Sequence, residues 1–445
     1  MSRQLKLSDH YDYKRLLRFT RPSILMMIFT SIYIIVDGYF VSNYAGAVPF
    51  AALNLMMPFL MLLSSVGFMF GTGGAALVSM KLGQQRKEQA NRAFSLITYT
   101  LIVLGLLTSV VGYFLAPEVA VILGANEELL PHSVLYARIS MVGMTAFMLQ
   151  HLFQSFLITA ERPQFGFWIT VLAGVLNIIF DFLFIGVWDW GLAGAAWATS
   201  ISEIIGGFIP IIYFLMPNKT VLRLGKTSWN WPVIYKTCTN GSSEFFSSAA
   251  SSLVGMLYNI QLLAYMGTNG VAAYGVIMYV NFIFVGIYFG YAMGVSPIIS
   301  YHYGANNVQE LKSLCHRSTV LMFLSGVILT VLAELSVNLL ADIFVSYDAE
   351  LYDLACIGMR IFDLAFILMG LNVFASTLFT ALNNGKISAI LSIMRSVVFE
   401  VSLIILLPLY FGGNSLWAII VVVEVLSIFL GVFMVLRYRE RYQYY

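Results

Sequence analysis

Long apolar runs, each bounded by clusters of charged and turn residues, divide the chain into twelve stretches. They lie near 16–42, 49–80, 93–116, 132–159, 164–187 and 192–216, then near 233–266, 270–300, 318–346, 353–382, 387–411 and 415–437. Each meets or exceeds the roughly 20 residues a helix needs to cross the hydrocarbon core of a bilayer. Strands of an outer-membrane barrel would instead read as alternating segments of about ten residues. The pattern therefore predicts an all-α polytopic membrane protein of twelve transmembrane helices. Composition agrees: of 445 residues 60% are apolar and 10% charged, against about 25% charged in a soluble domain. The lipid bilayer is thus the first expected partner, and an ordinary soluble globular protein is excluded.

Lys and Arg alternate between loops. Arg3, Lys6, Lys14, Arg15, Arg18 and Arg21 precede the first run, and Lys81, Arg86, Lys87, Arg92, Arg162, Lys219, Arg223, Lys226, Lys236, Lys312, Arg317, Lys386, Arg437, Arg439 and Arg441 fall on the same side. The opposite loops, around Gly46, Glu127, Asp189, Asn269, Asp348 and Gly413, have no Lys or Arg. Positive residues stay in the cytoplasm, so both termini are expected there. The first run is too long for a cleavable signal and lacks a small-residue cleavage site.

A single displacement of 221 residues relates the two halves. Gly46, Ala51, Ala52, Gly73 and Gly83 recur as Gly267, Ala272, Ala273, Gly294 and Gly304. Likewise Phe153, Ser155, Thr159, Ala160, Gly191 and Glu203 recur as Phe374, Ser376, Thr380, Ala381, Gly412 and Glu424. Six spans separate equivalents, so both halves have the same topology, and a pseudo-two-fold axis along the membrane normal should relate them. The expected organisation is an N-lobe over 1–216, a cytoplasmic linker over 217–232 and a C-lobe over 233–445. Two such lobes around a midplane cavity describe a secondary transporter. No filter-like re-entrant segment argues for a channel. Gly225-Lys226-Thr227 has Thr220 where a phosphate-binding loop needs its first glycine, so the chain is not its own ATPase; as a secondary transporter it is expected not to be an enzyme. Cys238, Cys315 and Cys356 are scattered without metal-ligand spacing.

Charges inside the spans carry the candidate chemistry, because each costs about 2.5–3.5 kcal/mol to insert. Asp37 lies in the outer half of span 1 and Asp181 in the outer half of span 5, four residues after Asn177, so one helix face presents an amide and a carboxylate. Thr199 on span 6 reaches the same depth. Asp37, Asn177, Asp181 and Thr199 together form a hard-oxygen set suited to Na⁺ or a proton. The plainer reading has both acids hydrated at helix ends and idle. Glu244 follows Asn240-Gly241-Ser242-Ser243 near mid-depth on span 7 and fits a cavity that meets a cationic substrate. Glu203 and Glu424, being equivalents, read as a symmetric structural pairing. Asp363 and Glu400 are further C-lobe acids. Arg138 and Arg360 sit within snorkelling reach of the interface, and Arg395 calls for a carboxylate partner. Gly67, Gly71, Gly73 and Gly74, with Gly286, Gly290 and Gly294, read as close helix packing. The many Met and aromatic residues would suit an adaptable cavity for flat cations.

Gly46-Ala47-Val48-Pro49-Phe50-Ala51-Ala52-Leu53, Gly71-Thr72-Gly73-Gly74, Lys81-Leu82-Gly83, Gly191-Leu192-Ala193-Gly194-Ala195-Ala196-Trp197-Ala198-Thr199, and Ser296-Pro297 through Gly304-Ala305-Asn306 resemble the MATE family of multidrug and toxic compound extrusion transporters, in the MOP superfamily. The resemblance covers nearly the whole chain. It implies export of drugs, dyes or organic cations in exchange for inward H⁺ or Na⁺, with no other cofactor and no nucleic acid, by a monomer in a bacterial inner membrane. Within it Asp37 and Asp181 match the paired N-lobe acids, and Asn177 and Thr199 match their polar neighbours. Tyr136 and Gln154 fall near further positions of that network, Gln154 standing where some members have Asn. Pro22 matches the proline about which helix 1 bends in some members; its ordinary reading is a helix-start proline at the interface. Other members carry coupling acids in the second lobe, for which Glu244 and Asp363 are the nearest matches. The alternative is a flippase for lipid-linked oligosaccharides on a related two-lobed fold. That reading wants a strongly cationic cavity, and the embedded charges here are mostly acidic.

Overall fold

The structure is a computed structural model that describes residues 4–346 and 348–445; Arg3 lies outside the described residues. Six helices form the first half: α1 (Tyr13–Ala45), α2 (Val48–Gly83), α3 (Lys87–Ile122), α4 (Leu129–Thr159), α5 (Pro163–Val187) and α6 (Gly191–Leu215). In the second half the 74-residue helix Trp231–Gly304 divides at Gly267 into α7 (231–266) and α8 (268–304). There follow α9 (Val308–Val345), α10 (Ala349–Asp363 and Phe366–Ala381, bent by 45°), α11 (Gly385–Phe411) and α12 (Gly413–Tyr442). The described residues thus contain the twelve spans that the apolar runs predict.

Several helices extend beyond the apolar runs, because capping residues and charged first turns start them earlier in the chain. The carboxylate of Asp12 accepts the Arg15 N–H at 2.7 Å and starts α1 at Tyr13. Pro22 is therefore interior to α1 rather than a helix-start residue, and its missing N–H removes one hydrogen bond of the ladder. Asn307 caps α9, accepting the Glu310 N–H at 3.2 Å, and starts it ten residues before the apolar run.

The repeated glycines are the turns. Gly46 and its equivalent Gly267 have φ of 99° and 65°, and Gly191 and Gly412 have 54° and 75°. A side chain at these left-handed positions would be strained, so the same two corners demand glycine in both halves.

The halves meet through backbone contact that only glycine allows. On α2 and α7, a Cβ at Gly73 would lie 2.1 Å from the Thr237 carbonyl oxygen, and one at Gly241 1.9 Å from that of Met69. A similar approach joins α8 to α1, where a Cβ at Gly290 would lie 2.5 Å from the Ile24 Cα and one at Gly294 2.9 Å from the Thr20 methyl group. Between them α2 and α8 cross, with Gly83 against Tyr301 and Gly304 against Met80. These approaches lie toward the face that bears both termini. There Tyr442 packs on Tyr303 at 5.7 Å and the hydroxyls of Tyr445 and Thr319 are 3.0 Å apart.

Residues 4–12 run across this face as a strap. Leu7 and Tyr11 are fully buried. The Leu7 N–H donates to Glu161 Oε1 at 2.8 Å in the α4–α5 turn, and the Tyr11 N–H to Glu310 Oε1 at 2.8 Å on α9. His10 Nδ1 lies 2.6 Å from Glu310 Oε2, and Arg317 donates to the Tyr11 carbonyl. The strap thus ties one half to the other through two carboxylates. Burial pushes the Glu161 carboxyl up from its ordinary value, against the opposing effect of the Leu7 N–H. Glu310→Ala should release the far end, since a hydrogen bond to a charged group contributes about 1.5–3 kcal/mol. The expected result is a lower midpoint of thermal unfolding in detergent and faster proteolysis within residues 4–12.

Candidate functional site

Two acids converge where regular helix gives way. Asp37 lies in the last turn of the regular part of α1, which ends at Phe40, and the five residues Val41–Ala45 that follow are π-helical. Asp181 is followed at once by the π-helical Phe182–Val187 on α5. Wider turns of this kind are enriched at functional sites, since they re-aim side chains. Asp37 is 6% exposed and Asp181 0%. Their carboxyls are within hydrogen-bonding reach of each other. No other donor meets Asp37 Oδ1 or either oxygen of Asp181 among the described residues. Two buried carboxylates in contact cannot both stay charged; one proton or one cation has to lie between them.

The neighbours complete an oxygen-rich shell. Asn177, 1% exposed, donates from Nδ2 to Thr199 Oγ1 at 3.4 Å, which leaves its Oδ1 without a donor. Tyr136 is buried near Asp37, Asp181 and Glu203, with Ser140 one turn further along α4. Four oxygens, from Asp37, both atoms of Asp181 and Asn177, are therefore unmatched in one buried place. That donor set fits Na⁺ as well as H⁺.

The structure brings Asp37, Asp181, Asn177, Thr199 and Tyr136 together and sets Gln154 apart. Gln154 lies eighteen residues beyond Tyr136 on α4, about 27 Å along the axis, where its Oε1 is buried without a donor. Two residues join the group that the sequence reading left out. Tyr33 lies one turn before Asp37 on the same face of α1, near both Asp37 and Glu203. Glu203 lies one turn after Thr199 on α6, against Gly143, and Asp37 is its charged neighbour. The four-residue spacings are the signal that could have found them.

The second half is arranged differently. Glu424 is 1% exposed and salt-bridged to Arg395, with Nε at 3.0 Å and Nη2 at 2.5 Å, while Asn372 donates to its other oxygen at 2.6 Å. The expected symmetric pairing of Glu203 and Glu424 is thus not found: the equivalents face opposite kinds of partner, because Gly174 stands where the second half has Arg395. Asp363 is buried at the bend of α10, its carbonyl taking the Thr330 hydroxyl at 3.2 Å, with Glu334 nearby. Nothing in this geometry brings it to Glu244. Glu400 lies close to the stacked rings of Tyr258 and Tyr274. Arg138 rests over the Tyr113 ring at 5.2 Å, and Arg360 reaches Asn338 at 3.4 Å.

Between the halves lies a cavity of about 230 Å³. Met27, Phe68 and Thr72 line it from the first half, and Glu244, Phe289, Met293 and Thr380 are among the residues facing them. Glu244 is the lone ionisable side chain in that lining among the described residues.

Comparison with known proteins fits this architecture. The MatE family profile matches twice, at residues 22–183 and 245–406. A multidrug export protein, MepA, of Staphylococcus haemolyticus is 25% identical over 438 residues, covering 96% of this chain and 94% of its own. The MepA protein of Staphylococcus saprophyticus is 23% identical over 414 residues, covering 92% and 90%. Among solved structures, a MATE in complex with MaL6 superposes with a TM-score of 0.91 at 20% identity, covering 99% of both chains. An outward-facing multidrug resistance MATE transporter of the MOP superfamily gives 0.91 at 21% identity, covering 99% of this chain and 98% of its own. With the family profile spanning both halves, the chain belongs to the MatE family.

Proposed function

We propose that this protein exports cationic amphiphilic compounds from a bacterial cell in exchange for inward-moving H⁺ or Na⁺. The observation that carries the reading is the buried pair Asp37 and Asp181, three of whose oxygens, with Asn177 Oδ1 beside them, are unmatched. An ion entering from outside would neutralise the pair, change how α1 packs on α5, and favour the state that releases substrate outward. Coupling arises because ion and substrate bind the two states with different affinity. Pro22 supplies a weak point in α1 at which that repacking can be taken up. The distribution of Lys and Arg supports an inner-membrane orientation with both termini cytoplasmic, and the bacterial MepA relatives support the setting. One chain encloses the whole cavity, which supports a working monomer.

The cavity lining supports the substrate class. Phe68, Phe289, Met27 and Met293 offer aromatic faces and polarizable thioethers to a flat cation, and Glu244 offers the counter-charge. No Lys or Arg lines it among the described residues, which disfavours a pyrophosphate-linked lipid substrate.

Ethidium efflux from proteoliposomes under an imposed pH gradient or an imposed Na⁺ gradient tests the reading. One gradient should drive flux and thereby name the ion; folded protein that moves no ethidium under either would refute it. In the same assay Glu244→Gln should raise the KM for ethidium about tenfold, the equivalent of about 1.4 kcal/mol, and leave a neutral amphiphile little affected. Equal changes for both compounds would remove Glu244 from charge recognition.

A further inference from the structure

The two halves place unlike groups at equivalent positions. In the first half Gly174 makes room for α1: an added Cβ would lie 2.5 Å from Phe29 Cε1 and 3.1 Å from Tyr33 Cδ1. Glu203 there has acids for charged company. In the second half the equivalent of Gly174 is Arg395, whose guanidinium grips the equivalent of Glu203 through two nitrogens on one oxygen. The first half must take its positive charge from solution, whereas the second has one covalently attached.

The surroundings of Arg395 resemble an ion site whose ion is part of the chain. A small cavity of about 20 Å³, room for a single water-sized particle, is lined by Glu244, Asn372, Ser376, Ser392, Arg395 and Ser427. With Glu424 beside it, this oxygen set of two carboxylates, an amide and three hydroxyls is of the kind a desolvated Na⁺ takes. Asn372 Oδ1 and Ser427 Oγ are buried without a donor. Glu244, Phe289 and Thr377 border both this cavity and the central one, so an ion held here would sit next to the substrate. Arg395 lies on the π-helical stretch Met394–Phe399, a local widening that re-aims side chains. A guanidinium does not deprotonate in proteins, so the charge it supplies is permanent. Its tether gives it a high effective concentration that a free ion would have to beat.

We propose that Arg395 is a built-in cation occupying the acid site of the second half, so that this half takes up no ion during transport and leaves Glu244 free to face substrate. That coupling then falls on Asp37 and Asp181 rests on the antiport reading above; that the second half is filled by its own arginine does not.

The test is ²²Na⁺ binding to the purified full-length protein with Asp37→Asn and Asp181→Asn already in place, so that the first half contributes nothing. With Arg395 intact the protein should bind no Na⁺. Adding Arg395→Gln should create binding of about one Na⁺ per chain, lost again on adding Glu424→Gln, and Arg395→Lys should bind none. Arg395→Gln protein that folds only in NaCl and not in choline chloride would equally support the proposal. A folded Arg395→Gln variant without Na⁺ binding would overturn it. So would a variant that fails to fold in either salt while Arg395→Gln with Glu424→Gln folds. No transport is read, so failure of the antiport reading cannot be mistaken for failure of this one.

Discussion

Asp181→Asn should reduce gradient-driven ethidium efflux to the passive leak, a loss of about 100-fold, and Asp37→Asn should do the same. The size follows from coupling free energies of about 1–3 kcal/mol, which disappear when the ion no longer distinguishes the two states. With one member replaced by an amide, the pair carries at most one charge and has a donor of its own, so neither H⁺ nor Na⁺ is required to make it stable. For the same reason the variants should fold well. Asp181 is wholly buried and Asp37 nearly so, and three of their four oxygens lack a donor. Trading such a carboxylate for a neutral isostere removes a desolvation cost, so the midpoint of thermal unfolding should hold or rise while transport is lost. Asn177→Ala should have a smaller effect, because it removes one of four unmatched oxygens and leaves the charge pair intact. Efflux at the wild-type rate from both Asp variants, under the gradient that drives the wild type, would sink the coupling scheme.

The parts of this site that were legible in the sequence share one property: they depend on spacing within a single helix or on the repeat. Asn177 and Asp181 lie one turn apart, and a carboxylate inside an apolar run stands out wherever it occurs. Gly46 with Gly267, and Gly191 with Gly412, are visible as a displacement of 221, and the structure shows why: the same left-handed corner is built twice. What the sequence concealed depends on contact between distant segments. Arg395 and Glu424 are 29 residues apart on different helices, and no periodicity pairs them. Glu203 seemed bound to share the role of Glu424 because the two are equivalents. The difference lies at Gly174, which reads as an ordinary small packing residue until Phe29 and Tyr33 are placed against it. The bend in α10 between Asp363 and Phe366 falls in a stretch without glycine or proline, so no local signal marks it. The strap over residues 4–12 has no helical or strand period either. Its order comes from Glu161 and Glu310, some 150 and 300 residues away in the chain.

Gly73→Ala and Gly241→Ala should each shift the transporter toward a state open on the face that bears the termini, by about 5- to 150-fold in population. In the structure α2 and α7 touch backbone to backbone at these residues, and a methyl group would lie about 2 Å from a carbonyl oxygen of the opposite half. The atom met is backbone in both cases, so no rotamer change can relieve it and the helices have to separate. Overpacking of this kind costs about 1–3 kcal/mol. That penalty applies only where the halves are pressed together, so it destabilises the closed arrangement selectively and an open one hardly at all. Spin labels on the α2–α3 and α8–α9 turns, measured by pulsed electron–electron resonance, should report a longer distance in both variants than in the wild type. Gly46→Ala is the control that separates this effect from plain loss of a glycine. It lies at an outer turn with nothing within 4 Å of an added Cβ, so its cost is backbone strain at φ 99°. It should lower thermal stability without lengthening the inner distance. If Gly73→Ala left that distance unchanged while lowering stability as Gly46→Ala does, the contact would be mere packing within a rigid unit, and the closing surface of the alternating-access cycle would have to lie elsewhere.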